Sequence, residues 1–431
     1  MTTKFVEVTM AHKYRTTLSD GSISGGPMYY IEKSFNKRWA GVLFAALMMV
    51  CAIGSGNMPQ INNIASVLDS TFSIPKLATG LILGVMLWLI ISGGIKRIAK
   101  IASKLVPFMA VIYFGGALVV VIENYQNIIP SFHSIFSQVF SGSAAAGGFL
   151  GASFAMSLKL GVARGLYSNE AGQGSSPIAH ASAKTKHSVE QGMVSILEPF
   201  IDTIVVCSVT ALVILSSGAW TQKYENTFER SSMAIFAGDY TESNSSDVEE
   251  LGKYILDARK FTSNTTTVKN FSGNLNVING ELQQDGITIF HNNSIAEDIT
   301  FYKDGEYFDG SLEVSDGDIN DSSIKVEGKS LIHSAELTSK AFASGVLGKI
   351  GEYIVAIGLL LFAFSTAIAW SYYGDRSTAY IFGENAVPWY RMIYVVSFIA
   401  AAVIDTTIVW NIAYVVVALV TIPNLFALFI L

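Results

Sequence analysis

The sequence predicts an all-α polytopic membrane protein that carries a β-rich extramembrane insert. Hydrophobic residues make up 51% of the 431 residues, and the mean hydropathy is +0.43. Charged residues make up only 14%, against about 25% in ordinary soluble domains. The acidic residues are concentrated, because residues 221–340 hold 21 of the 34 Asp and Glu but only 10 of the 28 Lys and Arg.

This distribution of charge divides the chain into three predicted parts. Residues 1–216 and 346–431 are predicted to form the two parts of a membrane core, in which basic residues slightly outnumber acidic ones. Residues 217–345 form the acidic insert between them. There, apolar and polar residues alternate between Asn-Gly and Asp-Gly pairs, which is typical of β-hairpins. The segment EDITFYKDGEYFDGSLEVSDGD (297–318) is predicted to be a hairpin.

Long apolar stretches predict the membrane spans. A helix needs about 20 mostly apolar residues to cross ~30 Å of hydrocarbon. By this measure the sequence predicts eight spans and a short apolar segment before His12. The spans cover residues 39–68, 76–94, 103–122, 145–182 (interrupted), 190–216, 346–373, 387–404 and 406–431.

The basic residues of the membrane core predict its orientation. When the spans alternate in direction, 16 of the 18 Lys and Arg, Arg164 among them, fall on one side, and only Lys76 and Lys349 fall on the other. Lys and Arg are enriched in cytoplasmic loops, so the side with 16 is predicted to be cytoplasmic. The protein is then expected in the cell (plasma) membrane, with insert 217–345 on the external side.

The most informative stretch is GGFLGASFAMSLKLGVARGLYSNEAGQGSSPIAHASAKT, residues 147–185. An apolar helix is predicted to break between Gly161 and Gly174 and to resume as a short helix at 175–177, with Pro177 near its first turn. Inside the predicted break lie Arg164, Ser168, Asn169 and Glu170. Unwound backbone at membrane depth can coordinate a cation, and a helix N-terminus can hold a carboxylate. The alternative is a cytoplasmic loop between two ordinary spans.

A second stretch, LLLFAFSTAIAWSYYG (359–374), places two hydroxyls and a tryptophan in an apolar span. The hydroxyls of Ser365 and Thr366 can supply oxygen ligands to a small hard cation. Trp370 follows Thr366 by four residues, so the two share a helix face, and the indole can wall a small apolar side chain. The alternative is that the hydroxyls bond to carbonyls of their own helix and that the indole only packs.

Polar residues also interrupt the first full span, in CAIGSGNMPQINNIASVL (51–68). Asn57, Gln60 and Asn63 are predicted to lie on or near one helix face, with Pro59 kinking the helix. Intramembrane amides bridge neighbouring helices or line a polar pore, and the sequence leaves both interpretations open.

Two carboxylates, Glu198 and Asp202, lie four residues apart in an apolar span. An isolated charge at the bilayer centre costs roughly 2.5–3.5 kcal/mol, so both are predicted to face the helix bundle. A structural role or protonation in place is favoured over a proton relay.

Eight segments together resemble the alanine or glycine:cation symporter family. The most specific of them is RGLYSNEAGQGSSPIAHASAKT (164–185). The others are GGPMYYI (25–31), GSGNMPQINNIA (54–65), GGIKRIAK (93–100), LVPFMAVIY (105–113), EPFIDTIVVCSVTALVIL (198–215), LFAFSTAIAWSYYG (361–374) and IPNLFALFIL (422–431). The resemblance covers nearly all of the chain except the insert.

The resemblance implies symport of a small neutral amino acid, alanine or glycine, with Na⁺ as the coupling ion. It implies the five-plus-five inverted-repeat fold of the amino acid–polyamine–organocation superfamily, in which the first helix of each repeat is broken at the midplane. The implied substrate-binding residues are Gln60, Tyr167, Asn169, Thr366 and Trp370. The implied sodium-binding residues are Ser365 and Thr366. Tyr167 stands where the family is expected to have Phe.

Two features depart from the family pattern. The segment from Met1 resembles the end of the helix that follows the first broken helix, so the first repeat is expected to be incomplete. The acidic insert lies where only a short external loop is expected.

A second hypothesis is a non-transporting sensor, adhesin or assembly protein on a degenerate transporter scaffold. An enzyme is not expected, because the sequence has no nucleophile–base arrangement, metal-ligand spacing or phosphate loop. The expected partners are a small neutral amino acid, Na⁺ and the lipid bilayer, with no nucleic acid and no cofactor.

Overall fold

Helices make up most of the residues that the structure describes. The computed structural model describes residues 1–18, 21–141, 154–258 and 267–431. These residues form two compact units. Unit 1 comprises Met1–Val119, Val162–Ala211 and Leu347–Leu431, and unit 2 comprises Val120–Gly161 and Leu212–Val346.

The α-helices follow one another through the chain, and several begin at a proline. Pro27, Pro59, Pro177 and Pro388 each stand in a first helical turn, where the missing N–H has no intrahelical partner to lose. The α-helices are α1 (Thr2–Lys13), α2 (Pro27–Phe35), α3 (Arg38–Gly54), α4 (Met58–Phe72), α5 (Lys76–Ile91), α6 (Gly94–Glu123), α7 (Ile128–Ser141), α8 (Phe154–Asn169), α9 (Ser176–His180), α10 (Ser188–Ser195), α11 (Leu197–Pro199), α12 (Cys207–Ser217), α13 (Ser245–Ala258), α14 (Ser334–Ala343), α15 (Lys349–Phe382), α16 (Val387–Ala401) and α17 (Thr406–Ile430).

Five helical segments among the described residues are long and apolar enough to cross a membrane. They are Arg38–Phe72, Arg97–Glu123, Ser188–Ser217, Lys349–Phe382 and Thr406–Ile430, and each overlaps a predicted span. The predicted spans 76–94 and 387–404 correspond to the shorter α5 and α16, of 16 and 15 residues. At 1.5 Å per residue, these two helices are about 24 Å long. Residues 145–153 of the interrupted span lie outside the described residues.

The core of unit 1 lies among α2–α5 and α15–α17. Tyr30, Phe44, Met48, Tyr394 and Phe398 are fully buried there. The exposed side chains of α5 and α6 are mostly apolar, among them Leu81, Val85, Val111 and Ile122. Apolar residues on the outside and a packed interior are what a lipid-facing helix bundle requires.

Unit 2 contains three antiparallel four-stranded sheets, with strand orders β11-β10-β14-β3, β13-β12-β6-β7 and β5-β4-β8-β9. The two-stranded pair β1 (Thr16–Thr17) and β2 (Ile23–Ser24) belongs to unit 1. The other strands are β3 (Tyr224–Thr227), β4 (Met233–Ala237), β5 (Lys269–Asn270), β6 (Gly273–Ile278), β7 (Glu281–Leu282), β8 (Ile287–His291), β9 (Ser294–Ile295), β10 (Glu297–Lys303), β11 (Glu306–Tyr307), β12 (Gly310–Ser315), β13 (Asp318–Ile319) and β14 (Ile324–Ser330). The sheets share a core around Ile235, Leu275, Phe301 and Val326.

Tight turns set the register of these hairpins. Asn279 and Gly280 join β6 to β7 with φ of 52° and 78°, and Asp304 and Gly305 join β10 to β11 with φ of 53° and 90°. Positive φ at both central residues is the requirement of a two-residue hairpin loop, and Asn-Gly and Asp-Gly meet it at low steric cost. The 14-residue α13 is a feature that the strand pattern did not predict.

Candidate functional site

The predicted break in the helix is present but shorter than expected. Residues 161–169 continue α8, and the irregular segment is 170–175, which we call the break loop. Glu170, Gly172 and Gly174 in this loop have φ of 53°, 92° and 75°. Isolated glycines are tolerated in a helix at about 1 kcal/mol each, so Gly161 does not end α8. The helix ends where residues must adopt positive φ.

Arg164 and Ser168 therefore lie in a helix rather than in the break. The Arg164 guanidinium stacks on Trp410 of α17, with Cζ 3.9 Å from the ring centroid. This contact corrects the prediction that Arg164 lies in the break, because the helix continues past Arg164 and packs it against another predicted span.

A buried carboxylate, Glu7 of α1, holds the break loop. Its Oε2 accepts the Gly172 N–H and its Oε1 accepts the Gly174 N–H, both at 3.1 Å. Asn424 of α17 donates to Oε1 of Glu7 and, at 2.9 Å, to the Gly172 carbonyl, and the Tyr30 hydroxyl donates to Asn424. The Glu7 side chain is 0% exposed. Two N–H groups of the break loop are thus bonded within the protein.

Trp370 joins the break loop to α15. Its Nε1 donates to Oε1 of Glu170 at 3.0 Å, and the Ser175 hydroxyl donates to Oε2 of the same carboxylate at 2.6 Å. Trp370 also lies against the backbone of Gly56, where an added Cβ would fall 2.2 Å from the indole Cγ. Only glycine permits this approach.

A second interruption, residues 55–57, separates α3 from α4. Pro59 stands in the first turn of α4, which corrects the prediction that it kinks a continuous helix. The Tyr167 hydroxyl donates to the Ser55 carbonyl at 2.9 Å, and Gln60 Nε2 lies 3.3 Å from the Tyr167 oxygen. The structure therefore brings together Gln60 and Tyr167, two predicted substrate-binding residues.

The other amides near this interruption have different partners. Asn57 donates to the Tyr394 carbonyl at 2.7 Å, linking the interruption to α16, whereas Asn63 donates to the Pro59 carbonyl of its own helix at 2.7 Å. Asn169 Oδ1 accepts the Ala171 N–H at 2.9 Å. As a result, Asn169, predicted to bind substrate, shapes the end of α8 in this structure.

The predicted sodium ligands lie on α15, one turn before Trp370. The hydroxyls of Ser365 and Thr366 both donate to the Phe362 carbonyl, at 2.8 and 3.0 Å. This is the back-bonded arrangement that was the alternative to a cation site. This arrangement does not conflict with a cation site, because a hydroxyl that donates its hydrogen keeps two lone pairs for a cation.

Glu198 and Asp202 bond to groups of unit 1, as predicted for carboxylates in an apolar span. Glu198 pairs with the fully buried Lys4 at 3.3 Å and lies 3.3 Å from His180 Nε2. Asp202 accepts the Ser168 hydroxyl within the π-helical segment Phe200–Val206. These contacts tie α1, α8 and α9 to the helices after them.

Sequence reasoning missed Glu7, Lys4 and Asn424. Lys4 donates to the Ser176 hydroxyl at 2.7 Å, beside the start of α9. For Glu7 and Lys4 the available signal was the charge itself, since an ionisable side chain within a membrane protein's helices is a functional candidate. The residues that these side chains would contact could not be identified from spacing.

Two interrupted helices, joined through a buried tryptophan within a bundle of apolar helices, are the kind of arrangement in which many membrane transporters bind their substrates. Comparisons with known proteins identify the family. The sodium:alanine symporter family model matches residues 1–245 and 320–431. The chain belongs to this family of sodium-coupled amino-acid symporters, and the resemblance seen in the sequence is confirmed.

Relatives with transporter names agree with this assignment. An uncharacterized transporter of Haemophilus influenzae is 32% identical over 99% of this chain and 71% of its own length. The sodium/alanine symporter AgcS of Methanococcus maripaludis is 32% identical over 100% of this chain and 72% of its own length. The probable sodium/glutamine symporter GlnT of Bacillus subtilis is 42% identical over 50% of this chain and 44% of its own.

These matches settle the general class of the protein. The chain is a multi-pass membrane protein and not an enzyme, as predicted. Nothing in the comparisons favours the sensor or adhesin hypothesis.

Proposed function

We propose that the protein imports a small neutral amino acid, alanine or glycine, together with Na⁺ by alternating access. The observation that carries this proposal is that each of the two helix interruptions bonds to an aromatic residue of the proposed site. Tyr167 bonds to Ser55 in one interruption, and Trp370 bonds to Glu170 in the other. A substrate between the interruptions would link helices that move relative to each other as access alternates.

The proposed substrate-binding residues are Gln60, Tyr167, Asn169, Thr366 and Trp370. The close approach of Trp370 to Gly56, together with the Gln60–Tyr167 pair, supports a small pocket. Because binding rejects side chains that overfill a pocket, the selected side chain is hydrogen, methyl or hydroxymethyl.

Competition for alanine uptake tests this size limit. In cells expressing the protein, uptake of labelled alanine should require Na⁺ and should fall by more than half with a tenfold excess of unlabelled alanine, glycine or serine. Leucine should not compete. Glutamine is the decisive competitor, because one relative is named a probable glutamine symporter. Competition by glutamine equal to that by alanine would contradict the size limit.

The proposed sodium ligands are the hydroxyl oxygens of Ser365 and Thr366. Oxygen ligands suit a hard cation, and both hydrogens are directed to the Phe362 carbonyl. The hydroxyls stand one turn from Trp370, so bound Na⁺ would restrain the helix that contacts the break loop.

Thr366→Val tests the sodium site, since valine keeps the shape and removes the oxygen. The Na⁺ concentration for half-maximal alanine uptake should rise about tenfold, the loss expected for one ligand to a charged group. Ser371→Ala is the matched control, because Ser371 bonds to a carbonyl of the same helix at 2.7 Å but is not a proposed ligand. Equal Na⁺ dependence in the two variants would remove Thr366 from the site.

We further propose the five-plus-five inverted-repeat fold of the amino acid–polyamine–organocation superfamily, in the plasma membrane. The core would comprise residues 1–216 and 346–431, and the insert 217–345 would face outward. The positive-inside distribution of Lys and Arg supports this orientation. A cysteine at the exposed Glu306 should react with an impermeant maleimide on intact cells, whereas one at the exposed Lys184 should react only after lysis.

A further inference from the structure

Helix α7 turns a polar side chain toward the protein and large apolar side chains away from it. Ser131 is buried, and its hydroxyl donates to the Asn127 carbonyl at 2.7 Å. Ile129 and Phe136, by contrast, are 75% and 68% exposed. A helix that faces water shows the opposite pattern, with its apolar side against the protein and its polar side outward. The outward side of α7 therefore requires an apolar environment.

The exposed apolar side chains form one continuous stripe along α7. Ile129, Phe132 and Phe136 are separated by three and four residues, so they lie on the same helix face. All three are exposed, and we call them the apolar stripe. Single exposed apolar residues are common on protein surfaces, whereas a contiguous apolar patch marks a surface that binds a partner or a membrane.

The position of α7 in the chain favours the bilayer as the environment of this stripe. The segment Arg97–Glu123 is long and apolar enough to cross a membrane, and Ile122 in its last turn is 67% exposed. Only residues 124–127, mostly a 3₁₀ turn, separate its end from α7. At 14 residues, α7 is about 21 Å long and too short to cross ~30 Å of hydrocarbon. A helix this short, starting where a span ends, lies at the bilayer surface.

The charge of this part of the chain indicates which kind of lipid fits. Residues 124–141 contain no Asp, Glu, Lys or Arg. Placing the stripe among lipid headgroups therefore avoids the cost of desolvating such a charge. Helices that bind anionic lipid carry Lys and Arg on their polar face, and α7 has neither. A zwitterionic phospholipid surface matches this composition.

We propose that α7 lies along the bilayer surface at the end of α6, with the apolar stripe inserted at the boundary between the headgroups and acyl chains of zwitterionic lipid. The Asn127 amide, just before α7, donates to the Ser216 carbonyl at 2.8 Å, near the end of α12. Insertion of the stripe therefore holds the start of the insert at the bilayer surface. α7 would take this place whichever amino acid is transported and whichever side of the membrane it faces.

A fluorophore attached at the stripe tests the proposal. In a Cys207→Ser background, which leaves only the buried Cys51, Phe136→Cys is labelled with a polarity-sensitive probe in nanodiscs of phosphatidylcholine. Ser137→Cys is the matched control, because Ser137 is also exposed but lies about 100° away around the helix. The probe in Phe136→Cys should emit at shorter wavelength, and nitroxide-labelled lipid should quench it about twofold more strongly than the control, because only the stripe is inserted.

Lipid composition tests the expected headgroup chemistry. Replacing part of the phosphatidylcholine with phosphatidylglycerol should leave the quenching of the Phe136→Cys probe unchanged, because α7 has no Lys or Arg to attract an anionic headgroup. Quenching that appears only when phosphatidylglycerol is present would contradict the assignment to zwitterionic lipid.

A second position keeps the test independent of any one substitution. Ile129→Cys lies on the same stripe and should match Phe136→Cys in emission and in quenching. Equal emission and equal quenching at the stripe and at the Ser137→Cys control would overturn the proposal. It would also be overturned by a stripe probe that emits at shorter wavelength but is not quenched by lipid nitroxide, a result that would indicate a second copy of the chain on the stripe.

Discussion

Replacing Gly56 with alanine should reduce alanine uptake by about 5- to 150-fold, the range expected from overpacking by roughly 1–3 kcal/mol. The new Cβ would lie 2.2 Å from Cγ and Cδ2 of Trp370, so the indole or the interruption between α3 and α4 must shift. Either shift would disturb the bond from Trp370 to Glu170. Initial uptake rates at matched protein amounts in the membrane measure the effect.

Gly115→Ala is the matched control for this prediction. Gly115 lies within α6, and an added Cβ there meets no atom within 4 Å. Alanine in a helix interior is favoured over glycine by roughly 0.5–1 kcal/mol, so this variant should transport normally and unfold at the same or a higher temperature. Wild-type uptake by Gly56→Ala would show that Trp370 need not keep this position during transport.

Replacing Glu7 with glutamine should destabilise the protein and lower uptake by about 10- to 100-fold, because an amide cannot accept at both positions. The two carboxylate oxygens accept N–H groups of Gly172 and Gly174. Glutamine has one acceptor oxygen, and its NH₂ would face a donor. Leaving a buried donor unpaired costs about 1–3 kcal/mol, and the break loop would lose part of what fixes its shape. Thermal unfolding in detergent and uptake measure the two effects.

The control for Glu7 is Glu190→Gln, on the neighbouring helix α10. Glu190 is exposed, and neutralising an exposed carboxylate changes stability by less than about 0.5 kcal/mol. The melting temperature of Glu190→Gln should match that of the wild type. If Glu7→Gln also matches the wild type in both melting temperature and uptake, then Glu7 does not hold the break loop in the working protein.

Local patterns predicted much of the fold. Apolar length located the membrane-spanning helices, and Asn-Gly and Asp-Gly pairs located hairpins such as β6–β7 and β10–β11. The predicted start of the break was wrong, because Gly161 was interpreted as ending the helix although a continuous helix tolerates it. The change from helix to break loop depends on the conformation of Glu170, Gly172 and Gly174. Buried partners such as Glu7 stabilise that conformation from far along the chain.

The candidate site was predicted in part. Gln60 and Tyr167 are in contact, and Trp370 lies beside the break loop, while the binding roles of these residues stay predictions. Glu7 could not be assigned from sequence, because its significance comes from contacts with residues more than 160 positions away. Helix packing decides such contacts, and the hydrophobic pattern of a single helix does not specify its neighbours.

Alanine accumulation in proteoliposomes made from the purified protein tests the central claim most directly. With Na⁺ outside and none inside, labelled alanine should accumulate above its external concentration and should leave when an ionophore collapses the Na⁺ gradient. The accumulation should increase with an inside-negative potential, since one charge moved across 100 mV is worth ~2.3 kcal/mol. Alanine that only equilibrates, at a rate independent of Na⁺, would contradict sodium-coupled symport by this chain.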